Sequence, residues 1–374
     1  MIYLNNATTS FPKPASVLVG VGEYLSHSPE TPGRGGVLSN ADILDRCKRR
    51  MSDYISAPTQ SNIFFFLNAT QAINQVIYGM NWKKGDHVIT TVVEHNSVLR
   101  PLQPLKALGV DITLVECDQY GAVNPDNVLE QLTDHTRMVI ISHVSNVTGA
   151  VQDIHCIGKA LANHSACFVV DAAQSLGLYP IDVERFNIDI LAFTGHKFLY
   201  SIQGVGGLYI NPKIQLEPLI LGGTGALSES LEHPKILPWR YQAGTLNMPG
   251  IVSLLYGVEY ISSQKFVLEK IREKVSILRQ SAVDTGALCH SPEDSTLLTI
   301  SYPKQDTEEL CMILKESFDI HIRGGLHCAP LIQKYIGAPP EGTLRFSPSF
   351  LTCNQDIERA ASALSKLTCL VAWQ

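Results

Sequence analysis

Five short segments carry residues that could share one chemistry. Asn68-Ala69-Thr70 stands between an apolar run and a helical pattern. Such a turn can cradle a phosphate on free backbone N–H groups at the positive end of a helix. Taken alone, the segment is better explained by Asn68 as a plain helix cap, because such caps are routine. Glu94-His95-Asn96 follows a second apolar run. His95 could stack on a planar ligand, work as an acid or base, or be an ordinary loop histidine. Ser145-Asn146 precedes Gly149, so Asn146 offers amide donors to a ligand or simply makes a turn. Asp171-Ala172-Ala173-Gln174 ends a buried run with a carboxylate. That is costly unless a cation or several donors meet it, and a pyridinium N–H would do so. Asp-x-x-Gln also fits a capping box. Thr194-Gly195-His196-Lys197 sets a lysine beside a strand end in an apolar, glycine-rich stretch. Desolvation there lowers the amine pKa and suits Schiff-base chemistry.

Each segment alone has a bland explanation. Together they supply a phosphate anchor, a flat-ring partner, an Asp, a neutral polar residue and a lysine. That is the set pyridoxal phosphate (PLP) needs. No P-loop, GxGxxG, CxxC or HExxH pattern competes with it.

A scaffold must bring these residues to one place. Candidate strands at 63–67, 87–92, 111–115, 138–143, 167–170, 189–193 and 206–210 alternate with helical patterns. One of these is 71–80, where Ala72, Ile73, Val76, Ile77 and Met80 share a face. The alternation predicts an α/β fold with a mostly parallel seven-stranded sheet that binds ligands at the strands' carboxyl ends. A Gly- and Pro-rich loop over 214–250 precedes a long helix expected over 252–283. Short strands at 297–302, 320–323 and 343–347, a helix at 307–317 and a last helix capped by Asn354 suggest a smaller α+β unit. The expected division is 1–20 as an N-terminal segment packing with the small domain, 21–250 as the large PLP-binding domain, and 251–374 as the small C-terminal domain.

Composition narrows the class. With 45% apolar and 17% charged residues, the chain can build a large core and is not disordered. A net charge of -6 gives no reason to expect nucleic acid or an anionic membrane as partner. The apolar runs are too short to span a bilayer, and the start of the chain lacks a signal peptide's basic and apolar regions. Nine scattered cysteines suit a reducing compartment. The expectation is a cytoplasmic enzyme.

With these residues in place, the chain resembles the class V aminotransferase family of fold type I PLP enzymes. Within it, the chain is similar to the group II cysteine desulfurases and selenocysteine lyases. The resemblance runs from Tyr3-Leu4-Asn5-Asn6-Ala7-Thr8-Thr9 through Pro32-Gly33-Arg34-Gly35-Gly36 and all five strand-end segments. It continues into Ala243-Gly244-Thr245, Arg323-Gly324-Gly325-Leu326-His327-Cys328-Ala329 and Leu344-Arg345-Phe346-Ser347. The Arg…His-Cys-Ala element points to the desulfurase branch.

The resemblance implies roles. Lys197 would carry the cofactor's aldehyde, Asp171 would pair with its ring nitrogen, Gln174 would bond the ring oxygen, and His95 would stack on the ring. Ala69, Thr70, Thr194 and His196 would hold the phosphate, joined by Thr245 from a partner subunit in a homodimer. Asn146, Arg345 and Arg323 would bind the substrate, L-cysteine. Cys328 would be the catalytic sulfur acceptor and would pass sulfur to an acceptor protein. The other eight cysteines would be small buried hydrophobes. Selenocysteine lysis, C–S lysis and transamination are alternative activities of the same site. The chain departs from the family at Asn5, at Val37 and at Leu326, where an Asp and two His are usual. If Lys197 carries the cofactor, Lys197→Ala should abolish turnover, and borohydride should no longer fix the cofactor to the chain. Peptide mapping of the reduced protein checks this; label on another lysine would overturn the assignment.

Overall fold

The structure, a computed structural model, describes residues 1–26 and 39–371. The Pro32–Gly36 turn and Val37 lie outside the described residues. The strands, in chain order, are β1 Ile2–Tyr3, β2 Ile63–Phe66, β3 His87–Thr91, β4 Asp111–Val115, β5 Thr136–Ser142, β6 Cys167–Asp171, β7 Ile190–Thr194, β8 Gly206–Ile210, β9 Leu288–Cys289, β10 Leu298–Ser301, β11 Ile320–His321 and β12 Leu344–Phe346. The helices are α1 Ala15–Ser26, α2 Ser39–Tyr54, α3 Ala69–Gly79, α4 Asn96–Ala107, α5 Pro125–Leu129, α6 Ile154–Leu161, α7 Met248–Ser263, α8 Val267–Asp284, α9 Thr307–Phe318, α10 Ile332–Tyr335 and α11 Asn354–Val371.

The seven expected strands form one sheet in the order β2-β8-β7-β6-β5-β3-β4. Only β8 runs against the rest: it pairs antiparallel with both β2 and β7, while every other pair is parallel. The ends of β2, β3, β5, β6 and β7 therefore share one edge of the sheet. The inner strands are buried along their whole length, as continuous apolar runs in a helix-covered parallel sheet should be. One core fills the side of the sheet facing Ile89, Ile141, Val170 and Leu191. A second, with Ile73, Val76, Val88 and Ile140, fills the other.

The small unit has its own core of Val275, Leu278, Leu298, Ile300, Phe346 and Leu364. Its antiparallel sheet is β12-β10-β9, and β1 pairs in parallel with β11. Ile2 and Leu4 enter this core, so the first residues pack with the small unit.

Three expectations need correction. The helix expected over 252–283 is two helices, because Phe266 takes a left-handed φ of 58° at the break. The apolar face of α7 (Ile251, Leu254, Leu255, Val258) sits in the large core, which Ala329, Ile332 and Ile336 also join, so the two cores do not part at 250/251. On the N-terminal side, α1 lies along α7, and Gly20 faces the Tyr256 ring. The 1–20 segment is thus shared between the two units.

Gly257 shows how closely α7 approaches the site-bearing chain. A Cβ there would collide with the backbone carbonyl oxygen of Leu199, two residues beyond Lys197. Helix propensity alone would make Gly257→Ala a gain of about 1 kcal/mol. The collision should reverse the sign and cost about 1–3 kcal/mol. Urea unfolding checks this; a stabilised variant would contradict the close packing.

Candidate active site

The shared strand edge opens into a cavity of about 290 Å³. It receives Asn68-Ala69-Thr70 after β2, His95 after β3, Asn146 after β5, Asp171 and Gln174 after β6, and Thr194, His196 and Lys197 after β7. Arg323 and Arg345 reach it from the small unit, and Ala7 and Thr8 from the N-terminal segment. Three cations face one carboxylate, so the cavity favours anions.

The five strand-end segments meet as the parallel sheet requires. Asn68 is indeed a cap: its Oδ1 accepts from the Gln71 backbone N–H at 2.9 Å. That leaves the first N–H groups of α3, at Ala69 and Thr70, without intrahelical acceptors. Opposite them, Thr194 Oγ1 and His196 Nδ1 are buried polar atoms without hydrogen-bond partners. A buried donor set at a helix N-terminus has the chemistry of a phosphate site.

Asp171 Oδ1 accepts from the Ala173 N–H at 2.9 Å, and its other oxygen has no described partner. No helix follows it, so the capping-box explanation does not apply. Burial raises the Asp171 pKa, a shift opposed by the Ala173 hydrogen bond and the Lys197 charge. Gln174 Nε2 donates to the Ala7 carbonyl at 2.9 Å, which ties β6's end to the N-terminal segment.

Lys197 Nζ has no hydrogen-bond or ion-pair partner among the described residues. Burial pushes its pKa down to about 8; the Arg345 and Arg323 charges act the same way, and Asp171 opposes them. His95 caps α4: its Nδ1 accepts from the Ser97 N–H at 3.0 Å, which assigns the ring hydrogen to Nε2. Burial, then the Lys197 and arginine charges, push its pKa to about 4, so the ring is neutral at physiological pH.

Arg345 is fully buried. Its Nη1 donates to the Asn146 carbonyl at 2.6 Å, and its Nη2 to Thr8 Oγ1 at 3.0 Å and Asn5 Oδ1 at 3.4 Å. Asn5, a departure from the family pattern, thus sits beside this arginine. Asn146 Nδ2 donates to the His327 carbonyl at 2.7 Å. Cys328 does not line the cavity itself; Arg323 Nη2, which does, donates to Cys328 Sγ at 3.0 Å.

Thr245 is not in this cavity. It lines a separate one with Leu219, Ile220 and Asn247. The buried-hydrophobe expectation for the other cysteines fails for most: Cys47 and Cys167 are buried, but Cys156 and Cys353 are exposed. Cys156 falls on the outer face of α6, whose inward positions are Ile154, Ile157 and Leu161.

Sequence reasoning passed over Glu94. It is fully buried and takes hydrogen bonds from Thr91 Oγ1 (2.7 Å), the Ser142 N–H (3.0 Å) and Ser142 Oγ (2.6 Å). It thereby joins the ends of β3 and β5 one residue before His95. Its signal was a carboxylate at a strand end, the same signal that singled out Asp171.

The sequence model of the aminotransferase class-V family matches residues 2–360. The chain belongs to the aminotransferase class-V family. Its overall architecture is the fold type I architecture of PLP-dependent enzymes. A Methanothermobacter thermautotrophicus protein named "Probable cysteine desulfurase" is 31% identical, over 98% of this chain and 94% of its own. The "Cysteine desulfurase" of Escherichia coli O127:H6 is 27% identical, over 98% and 93%. The solved apo structure of the cysteine desulfurase of Thermococcus onnurineus NA1 superposes with a TM-score of 0.90 at 27% identity, covering 98% of this chain and 94% of that one.

Burial raises the Glu94 pKa from 4.5 to about 7, against the opposing bonds from Ser142 and Thr91. A raised acid pKa means that folding favours the protonated form. Its contribution is full below pH 4.5 and is lost as pH rises through about 7. Glu94→Gln cannot ionise, so its Tm should lack the wild-type decline across that window. Thermal unfolding at a series of pH values checks this; parallel curves would mean Glu94 is not protonated on folding.

Proposed function

We propose that this chain is a PLP-dependent cysteine desulfurase that converts L-cysteine to L-alanine and takes the sulfur onto Cys328. The observation that carries this reading is Arg323. Its guanidinium lines the lysine pocket and holds Cys328 Sγ at 3.0 Å, so pocket and thiol are one unit. The relatives named as cysteine desulfurases support it.

The residues present fit the cofactor. The α3 N-terminus, Thr194 Oγ1 and His196 Nδ1 would hold the phosphate, Asp171 the ring nitrogen, Gln174 the ring oxygen, His95 the ring face and Lys197 the aldehyde. Bound PLP supplies an electron sink for the electrons of the substrate's α-carbon. The chain's own residues do the rest. Arg345, whose described partners are neutral oxygens, orients the substrate carboxylate. Lys197, with its amine pKa held near 8, can take and return the substrate's α-proton close to neutrality. Arg323 places positive charge on Cys328 as its sulfur attacks the substrate sulfur. The carbon–sulfur bond breaks and a sulfur–sulfur bond forms: the substrate carbon is reduced to alanine's methyl, and the transferred sulfur is oxidised to the outer atom of a Cys328 persulfide.

A thiol or acceptor protein then removes that sulfur. The protein acts as a homodimer, a reading supported by Thr245, which lines a separate cavity beside exposed Leu219 and Ile220 and not its own chain's lysine pocket. A reducing cytoplasm suits the cysteines, which form no disulfide among the described residues.

Incubation with L-cysteine and a reducing thiol should give alanine and sulfide in equal amounts and no pyruvate. Cys328→Ala should keep its yellow cofactor yet make almost no alanine from cysteine. Pyruvate with ammonia would assign C–S lysis instead. Alanine from Cys328→Ala at the parent rate would remove Cys328 from the chemistry.

A further inference from the structure

The chain that carries Cys328 is conformationally unusual. His327 has φ 54° and Cys328 φ 60°, two consecutive side-chain-bearing residues in the left-handed region. L-residues avoid that region because the Cβ crowds the following carbonyl. Such a pair persists only where its surroundings over-determine it.

Three tethers do so here. Asn146 Nδ2 donates to the His327 carbonyl at 2.7 Å. The Asn96 N–H donates to the Cys328 carbonyl at 2.7 Å. The buried His327 ring places Nε2 at 3.0 Å from both the carbonyl oxygen and Oγ1 of Thr343. The first tether comes from the loop after β5 and the second from the start of α4, next to His95, which also lines the pocket. The third comes from the small unit. The turn is therefore pinned across the junction of the two cores, and it holds Cys328 Sγ against Arg323.

Asn146 is placed to do two things at once. Its backbone carbonyl accepts from Arg345 Nη1 at 2.6 Å, while its side-chain amide holds the sulfur-bearing turn. With that N–H committed to His327, the amide has one hydrogen left to offer a substrate.

We propose that Asn146 is a positioning residue for Cys328: its amide, acting through the His327 carbonyl, latches the left-handed turn that holds the nucleophilic sulfur at Arg323 and sets it in register with Arg345. The role of the sulfur rests on the desulfurase reading; the latch itself does not.

The test uses holoenzyme without substrate, probed with iodoacetamide. Alkylation is mapped by mass spectrometry, with exposed Cys156 and Cys353 as internal controls. Asn146→Asp keeps the shape but puts an acceptor against the His327 carbonyl. It should raise Cys328 alkylation at least fivefold while the two controls hold. In single turnover at saturating L-cysteine, persulfide on Cys328 should fall at least tenfold. Should Asn146→Asp not fold, Asn146→Ala deletes the amide without adding a charge and should raise Cys328 alkylation in the same direction. Unchanged alkylation in the variants that fold overturns the latch. A tenfold loss of cysteine affinity with unchanged alkylation also overturns it, and returns Asn146 to direct substrate binding. A wild type that forms no persulfide, combined with raised alkylation in the variants, would retain the latch and sink only the desulfurase reading.

Discussion

A lysine at the end of a buried strand, with no hydrogen-bond partner of its own, is unfavourable unless its charge is relieved. Lys197 is in that position, and the chain around it is arranged to keep it there. The carbonyl of His196, the residue before it, accepts from the Ser10 N–H (2.9 Å), Ser10 Oγ (3.1 Å), Thr9 Oγ1 (3.1 Å) and Lys13 Nζ (3.1 Å). Four donors on one carbonyl fix the peptide that leads into the lysine. On the other side Gly257 admits α7 against the Leu199 carbonyl. The amine can be desolvated because the backbone on both sides cannot shift to expose it.

The same N-terminal segment joins the two cores. Ile2 and Leu4 are buried in the small unit, Asn5 and Thr8 meet Arg345, and Ala7 meets Gln174. A stretch of a dozen residues thus touches the chain leading into Lys197, the Asp171 turn and Arg345. Relative movement of the two units would disturb all three contacts together, so the geometry of the pocket depends on how the units are docked.

What the sequence disclosed follows from the range of each interaction. The seven strands and the pooling of their polar ends were legible, because a strand and the turn after it are local in sequence. Asp171, His95 and Lys197 were found that way. Asn146 was found for its position, but the partner of its amide is 181 residues away and left no local trace. The Arg345–Thr8 bond spans 337 residues and was equally hidden. Glu94 was read as a neighbour of His95, although its buried bonds to Ser142 tie two strands together. The break after α7 was missed because Gln264 to Phe266 contain neither Gly nor Pro, and Phe266 adopts its left-handed φ under tertiary constraint. The exposed Cys156 and Cys353 show that a residue type's average burial does not settle any one position.

Arg323 and Arg345 raise a last question, since their backbones pair directly and bring two guanidiniums together. Like charges facing each other across a bridge repel. Burial, then Arg323, pull the Arg345 pKa down to about 9. The two arginines are not equivalent, however. Arg323 already has a polarizable, ionisable partner in Cys328 Sγ. Arg345 meets only neutral oxygens, and its Nε is buried without a partner. A fully buried cation whose partners are all neutral is stabilised most by an anion that can accept from two nitrogens of the fork, as a carboxylate can. The repulsion between the pair then has a use. It keeps Arg323 on the Cys328 sulfur and Arg345 among its neutral oxygens, so the two guanidiniums do not compete for one partner.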